Sequence, residues 1–249
     1  MITIYKKDKT ERFKVGLNEG SIRRYNLMTD DYIKLKFSLI DNEPLLIGDY
    51  VDLSEYKYED AIFNTADDTT KLFVVDRNYY PKYNKDTGGW DYDVQINAYY
   101  KQWNNRILMF TPDNGVSSAE ASFSLTDSIE VHAAMLERNL KNAGFHYKGT
   151  DIHIKIEESA SNKGLKLITY STTTMYSALN LIADTFECEW WMDGGSTLWF
   201  GYRNKGNEPI QLNLNKHIAD ASTNASEGVH ATRLYAFGGT TNIPKHYRD

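Results

Sequence analysis

An apolar stripe at helical spacing that runs directly into a tight aromatic hairpin constrains this chain more than any other feature. Between Thr172 and Gly201, residues Met175, Ala178, Leu179, Ile182 and Phe186 recur at i, i+3, i+4 spacing, the pattern of a helix that packs one face on a sheet. The chain then passes into Glu187-Cys-Glu-Trp-Trp-Met-Asp-Gly-Gly-Ser-Thr-Leu-Trp-Phe-Gly201, two aromatic arms around a glycine turn. A helix feeding a hairpin is a building block of α+β folds, and nothing in its residues is chemically reactive by pattern.

The surrounding composition narrows the class. With 249 residues the chain has room for two domains or one large β-rich domain. Hydrophobic residues at 41% and charged residues at 25% match ordinary globular usage, which argues for a folded chain. Eighteen tyrosines raise the aromatic share to 13% and favour strands and contact surfaces. The net charge is −6, with both signs mixed along the chain and only short basic pairs such as Lys6-Lys7 and Arg23-Arg24. Those pairs read as solvated faces, and a nucleic-acid binder would carry a basic stripe. The lone Cys188 has no partner for an intrachain disulfide. The N-terminus lacks the apolar run of a signal peptide, and no window approaches a membrane span, so synthesis in the cytoplasm is expected.

The first 110 residues alternate with period two. Ile33, Leu35, Phe37 and Leu39 form one face of a half-buried strand, and Trp90, Tyr92, Val94, Ile96, Ala98 and Tyr100 form another. Lys85-Asp-Thr-Gly-Gly89 supplies a hairpin turn whose other arm is expected at Leu72 to Asn78. Shorter strands are predicted at Ile2 to Tyr5, Arg12 to Val15, Ser21 to Asn26 and Tyr50 to Leu53, the set a closed or nearly closed antiparallel barrel requires. At Thr111-Pro-Asp-Asn-Gly115 turn formers accumulate and the period changes to 3.6. A helix is predicted from Asp127 to Ala143, opened by a capping box of Asp127 and Glu130 and closed by Gly144. Its stripe is Ile129, Ala133, Leu136, Leu140 and Ala143. Strands are expected at Asp151 to Glu157 and Lys166 to Tyr170, then the second helix, Thr173 to Phe186, and the aromatic hairpin, then strands at Pro209 to Leu214 and Thr232 to Gly238. The expected class is α+β, mainly β: a barrel over 1–112, an α+β domain over 113–206, and strands over 207–249 that begin a further barrel or return to the first.

No pattern assigns catalytic, cofactor or metal residues. His132, His146, His153, His217, His230 and His246 are scattered without ligand spacing. Asp91 and Asp93 alternate on a strand, and Asp67-Asp68 sits in a polar loop. Glu187 and Glu189 flank Cys188 and read as the outward face of a strand instead of a glycosidase acid pair. Cys188 reads as an inert buried thiol. Trp190, Trp191 and Trp199 offer either core packing or stacking platforms for sugars, with alternation sending Trp190 and Trp191 to opposite faces. Nucleophile elbows, phosphate loops and dinucleotide fingerprints are absent from the sequence.

Four blocks taken in order carry a resemblance: Gly48-Asp-Tyr-Val51, the stretch from Tyr92 to Leu108, the helix and aromatic hairpin of Thr172 to Gly201, and the closing Ala231-Thr-Arg-Leu-Tyr-Ala-Phe-Gly-Gly-Thr-Thr-Asn-Ile-Pro244. Together they resemble baseplate hub proteins of tailed bacteriophages, the group also called prophage tail endopeptidase, in forms carried by Bacteroidetes prophages. Members of that group are longer, so the chain reads as part of a longer protein. The resemblance implies a homotrimeric ring in the virion tail, between tail-tube proteins and a spike or fibre, lining part of a DNA conduit. From the residues themselves no cofactor, no specific nucleic-acid binding and no membrane insertion are expected. The alternatives that the residues leave open are a tail-linked peptidase or cell-wall hydrolase and a carbohydrate-binding module.

Overall fold

In the computed structural model, residues 1–54, 71–110, 119–193 and 195–203 are described, and all belong to one compact unit spanning Met1–Lys205. Eight strands of the first 98 residues build one large antiparallel sheet: β1 (Ile2–Tyr5), β2 (Glu11–Val15), β3 (Ile22–Tyr25), β4 (Asp31–Leu39), β5 (Tyr50–Asp52), β6 (Leu72–Val74), β7 (Lys82–Asn84) and β8 (Gly89–Ala98). Their order is β2-β1-β5-β6-β8-β4-β3, with β7 beside the start of β8. The sheet curls as a half-barrel, and among the described residues its outer strands β2 and β3 do not pair with one another, so its closure is partial.

The alternating runs did what period two demands. Ile33, Leu35 and Phe37 of β4 and Tyr92, Val94, Ile96 and Ala98 of β8 are buried on one face, in register from Tyr32↔Asn97 to Leu39↔Trp90. The stacked pair Phe37–Tyr92, 4.4 Å between ring centroids, marks the centre of that face. Two expectations need correction here. The hairpin arm opposite Trp90 is β7, immediately before the turn, whereas Leu72–Val74 pairs with the far end of β8 through Phe73↔Ala98 and Val74↔Asn97. The strand also stops at Ala98, and Tyr99–Asn105 coils into a 3-10 helix that buries Tyr99, Tyr100 and Trp103. Gly88 supplies the turn's positive φ of 69°.

Beyond residue 119 the chain forms β9 (Ser122–Asp127), α1 (Ile129–Asn142), β10 (His146–Tyr147), β11 (Thr150–Asp151), β12 (His153–Ile156), α2 (Glu158–Ser161), β13 (Lys166–Ser171), α3 (Met175–Thr185), β14 (Glu189–Met192) and β15 (Thr197–Gly201). Both apolar stripes are buried as their spacing requires, apart from the half-buried Ala143 at the end of the first. The caps differ at the start and agree at the end. Ser128, not Asp127, is the N-cap of α1; the Asp127 carboxylate accepts from Ser128 N at 2.8 Å, and no side chain caps the helix. At the C-terminus Gly144, φ 74°, completes a Schellman turn through Phe145 N to Leu140 O (3.0 Å) and Gly144 N to Lys141 O (3.0 Å).

The strand predicted over 151–157 is interrupted at Ile152, leaving β11 in a hairpin with β10 and β12 in a separate sheet. In that sheet β12 pairs in parallel with β15, from His153↔Thr197 to Ile156↔Phe200, and β14 pairs antiparallel on the other side. A second ribbon joins β9 to β13 and turns Phe123, Leu125, Ile168 and Tyr170 toward the helices. Buried Asn139 ties α1 to the preceding segment: its amide accepts from Met109 N and donates to Met109 O, both at 2.9 Å, in the manner of a short ladder.

One continuous core runs across all of this. Tyr100 meets Trp190 edge to face at 5.7 Å, and Trp190 donates its indole N–H to Asn180 Oδ1 at 2.7 Å. The expected boundary at Thr111–Gly115 and the strands expected beyond residue 207 lie outside the described residues.

Candidate functional site

The residues weighed as possible chemistry are separated in space or engaged locally. Glu187 is not on a strand face: it occupies the position after the cap of α3 with φ 49°, and Cys188 N donates to Ala183 O (2.9 Å) to close the turn. Glu189 opens β14 and accepts from Arg203 N at 2.9 Å. The Glu187 carboxylate itself is 74% exposed, 4.0 Å from Lys163 Nζ. Burial pushes the Cys188 thiol up to about 11, which disfavours the reactive thiolate. Asp91 is fixed by Ser38 Oγ (2.6 Å) and Asn84 Nδ2 (2.8 Å), and Asp93 by Lys34 (3.2 Å), on the outer face of the sheet as expected.

His132 is fully buried and bonded to the Tyr170 hydroxyl at 2.8 Å, and burial lowers its pKa. His146 pairs with Asp151 (2.9 Å), and His153 with Glu137 (3.3 Å). Among the described residues no three such groups converge as metal ligands. Asp67-Asp68, His217, His230 and His246 lie outside them.

The aromatic residues divide between core and edge. Trp190 is core, and Trp191 and Trp199, on the opposite face of the hairpin, stack at 6.4 Å with planes 8° apart. Trp191 is buried and Lys155 Nζ lies 5.2 Å from the Trp199 ring centroid, so the pair does not present an open platform. Arg23 also departs from expectation. Instead of facing solvent it turns inward against Phe73, 4.7 Å from the ring centroid, and forms an ion pair with the buried Asp31. The Tyr100 hydroxyl donates to the other oxygen of Asp31 at 2.8 Å, and burial raises the pKa of that carboxyl. Sequence reading missed this junction because its members are 69 residues apart, although a lone acid opening an apolar strand was a signal.

What the fold leaves unfinished is its edges. The outer strands β2 and β3 end the half-barrel without a further strand among the described residues. A cavity of about 160 Å³ lies where the barrel does not close, lined by Ile2, Leu17, Ile22, Ile33, Leu35 and Leu53. Ile22 remains 49% exposed there. The β9–β13 ribbon likewise has no third strand among the described residues, and Leu165 just before β13 and Leu167 within it are 70% and 61% exposed. Exposed apolar side chains on unpaired strands are the usual mark of a contact surface.

No protein-family model matches the chain, and no curated protein matches it. Among solved structures it is similar to the prophage tail protein gp18 of Listeria monocytogenes EGD-e, with a TM-score of 0.54 at 11% identity. The similarity covers 81% of this chain and 50% of that one, so the chain spans half the length of the structure it matches. At that identity the two share a fold.

Proposed function

We propose that this chain is a structural part of a phage or prophage tail tip, a baseplate hub ring that connects the tail tube to a spike or fibres and lines part of the DNA conduit. The observation that carries the reading is the fold shared with a prophage tail protein. The half-barrel with unpaired outer strands and exposed apolar residues supports it, because a ring needs subunits whose edges and loops meet neighbours. In this reading the ring is a homotrimer, and the acidic balance of −6 suits a conduit through which phosphates slide without being held. The chain carries no catalytic centre of its own in this reading. Glu189 and Asp91 accept hydrogen bonds from their neighbours, Glu187 is solvated beside Lys163, and the Cys188 thiol is held protonated by burial.

Immunogold labelling of induced phage particles tests the location, and mass photometry of the full-length protein tests the stoichiometry. Label confined to the tail tip and a trimer mass are expected. Particles without label, or a protein that stays monomeric at micromolar concentration, overturn the hub. Turnover of peptidoglycan or peptides that is lost on mutating Glu187 and Glu189, or Cys188, overturns the non-catalytic part alone.

A further inference from the structure

A groove of about 670 Å³ lies on the outer face of the sheet and coincides with a gap in the ladder of β8. On the edge away from β4, β8 pairs with β7 up to Lys82↔Asp91 and with β6 from Val74↔Asn97. Between those points the chain from Asp76 to Pro81 swings away. Backbone groups alternate along a strand, so the residues that meet β7 and β6 on this edge, Asp91 and Asn97, place Asp93 and Gln95 on it too. The Tyr79 hydroxyl donates to Gln95 O. The N–H and C=O of Asp93 and the N–H of Gln95 face the groove with no strand opposite among the described residues.

The side chains that floor the groove are already ordered. Asn18 Nδ2 donates to Ser38 Oγ at 3.4 Å, Ser38 Oγ to Asp91 at 2.6 Å, and Asn84 Nδ2 to the other oxygen of Asp91 at 2.8 Å. These bonds keep the Asp91 carboxyl below its usual range, so it is an acceptor at neutral pH with lone pairs to spare. One bank is equally fixed: Arg77 lies over Tyr79, 5.1 Å from the ring centroid, and bonds its hydroxyl at 3.1 Å. Beside it Tyr80 is 73% exposed, a large aromatic face at the groove with no ring partner among the described residues. Lys36 and Lys82 balance Asp91 and Asp93, so the lining has no net charge.

We propose that this groove binds a short neutral oligosaccharide, its pyranose C–H face stacked on Tyr80 and its hydroxyls bonded to Asn18, Asp91 and the free backbone groups of Asp93. Hydroxyls both donate and accept, which matches a lining that interleaves amides, a carboxylate and main-chain groups. An added peptide strand fits less well, since Tyr79 already occupies the Gln95 carbonyl and the three groups left on Asp93 and Gln95 are too few to hold a ladder. The site uses none of the tryptophans, and it is independent of the ring proposed above.

Saturation-transfer NMR on the 249-residue chain, with cellotriose, chitotriose and maltotriose as probes and a tetravaline peptide as the control, is the test. Saturable binding of at least one trisaccharide is expected, weakened at least tenfold by Tyr80→Ala and by Asn18→Ala and unchanged by Trp199→Phe. Because Tyr80 is exposed, Tyr80→Ala should melt with the parent, and its tenfold loss must appear whatever happens to Asn18→Ala. No transfer to any trisaccharide at millimolar concentration, binding indifferent to Tyr80→Ala, or binding of the peptide alone overturns the assignment.

Discussion

Replacing Glu187 by glycine should stabilise the protein, and the size of the gain follows from the backbone. Glu187 holds φ at 49°, a left-handed conformation that costs an L-residue about 1–2 kcal/mol and glycine almost nothing. Two terms oppose the gain. Glycine gives the unfolded chain more freedom, taking back about 0.5–1 kcal/mol. The Lys163 ion pair is lost as well, but its 4.0 Å separation and a Glu187 side chain 74% exposed limit it to a few tenths of a kcal/mol at about the usual surface value. The hydrogen bonds of the turn are main-chain bonds on the Glu187 side and survive, including the one from the Tyr202 hydroxyl to Glu187 O. The mid-values of these terms leave a net gain of about 0.5 kcal/mol, or roughly 1–2 °C in Tm for a unit of this size. Gly144→Ala supplies the mirror experiment. Its φ is 74° and an added Cβ would meet nothing within 4 Å, so the loss of about 1 kcal/mol is conformational alone. Differential scanning calorimetry of both variants decides it: a lower Tm for Glu187→Gly, or a higher one for Gly144→Ala, refutes the cap assignment.

Leu136→Ala and Ile182→Ala should each cost about 2–5 kcal/mol in urea unfolding, because both side chains are fully buried on the stripes of α1 and α3. Buried His132 has a lowered pKa from burial, so the folded state disfavours its charged form; stability should fall as pH drops below 6.5, and a His132→Gln variant should lack that part of the decline. Cys188, pushed up to about 11, should react with a disulfide probe at pH 8 at least a hundredfold more slowly in the native chain than in urea.

The parts of the fold that were legible are those written in local periodicity. Alternation in β4 and β8 and the two helical stripes fixed which faces are buried, because burial of one face is what those spacings encode. The hairpin partner of Trp90 was misread because Leu72–Val74 and Lys82–Asn84 both pair with β8, and the more apolar one drew the assignment. The strand Ser122–Asp127 escaped notice because Phe123 and Leu125 alternate with small polar residues over too short a run. Glu187 and Cys188 looked like a strand continuing backwards from Trp190; only the backbone reveals the turn. The parallel pairing of β12 with β15 and the Asp31–Arg23–Tyr100 junction join residues far apart in the chain, and no local signal carries such contacts. The groove beside Tyr80 was equally hidden, since a gap in a ladder depends on where neighbouring strands end.

The passage of β8 into the 3-10 helix has a mechanical meaning. The strand that holds β4 along eight paired positions continues without a linker into Tyr99, Tyr100 and Trp103, which are wedged among residues of the following helices and strands. A force applied to the sheet is therefore resisted by a ladder loaded in shear on one side and by a bolt of rings on the other. To pull the sheet away from α3 and β14, the rings must come out of the core together, with Tyr100 held to the sheet by its hydrogen bond to Asp31 of β4. Compression or torque on the sheet is carried to α3 and β14 through those ring contacts.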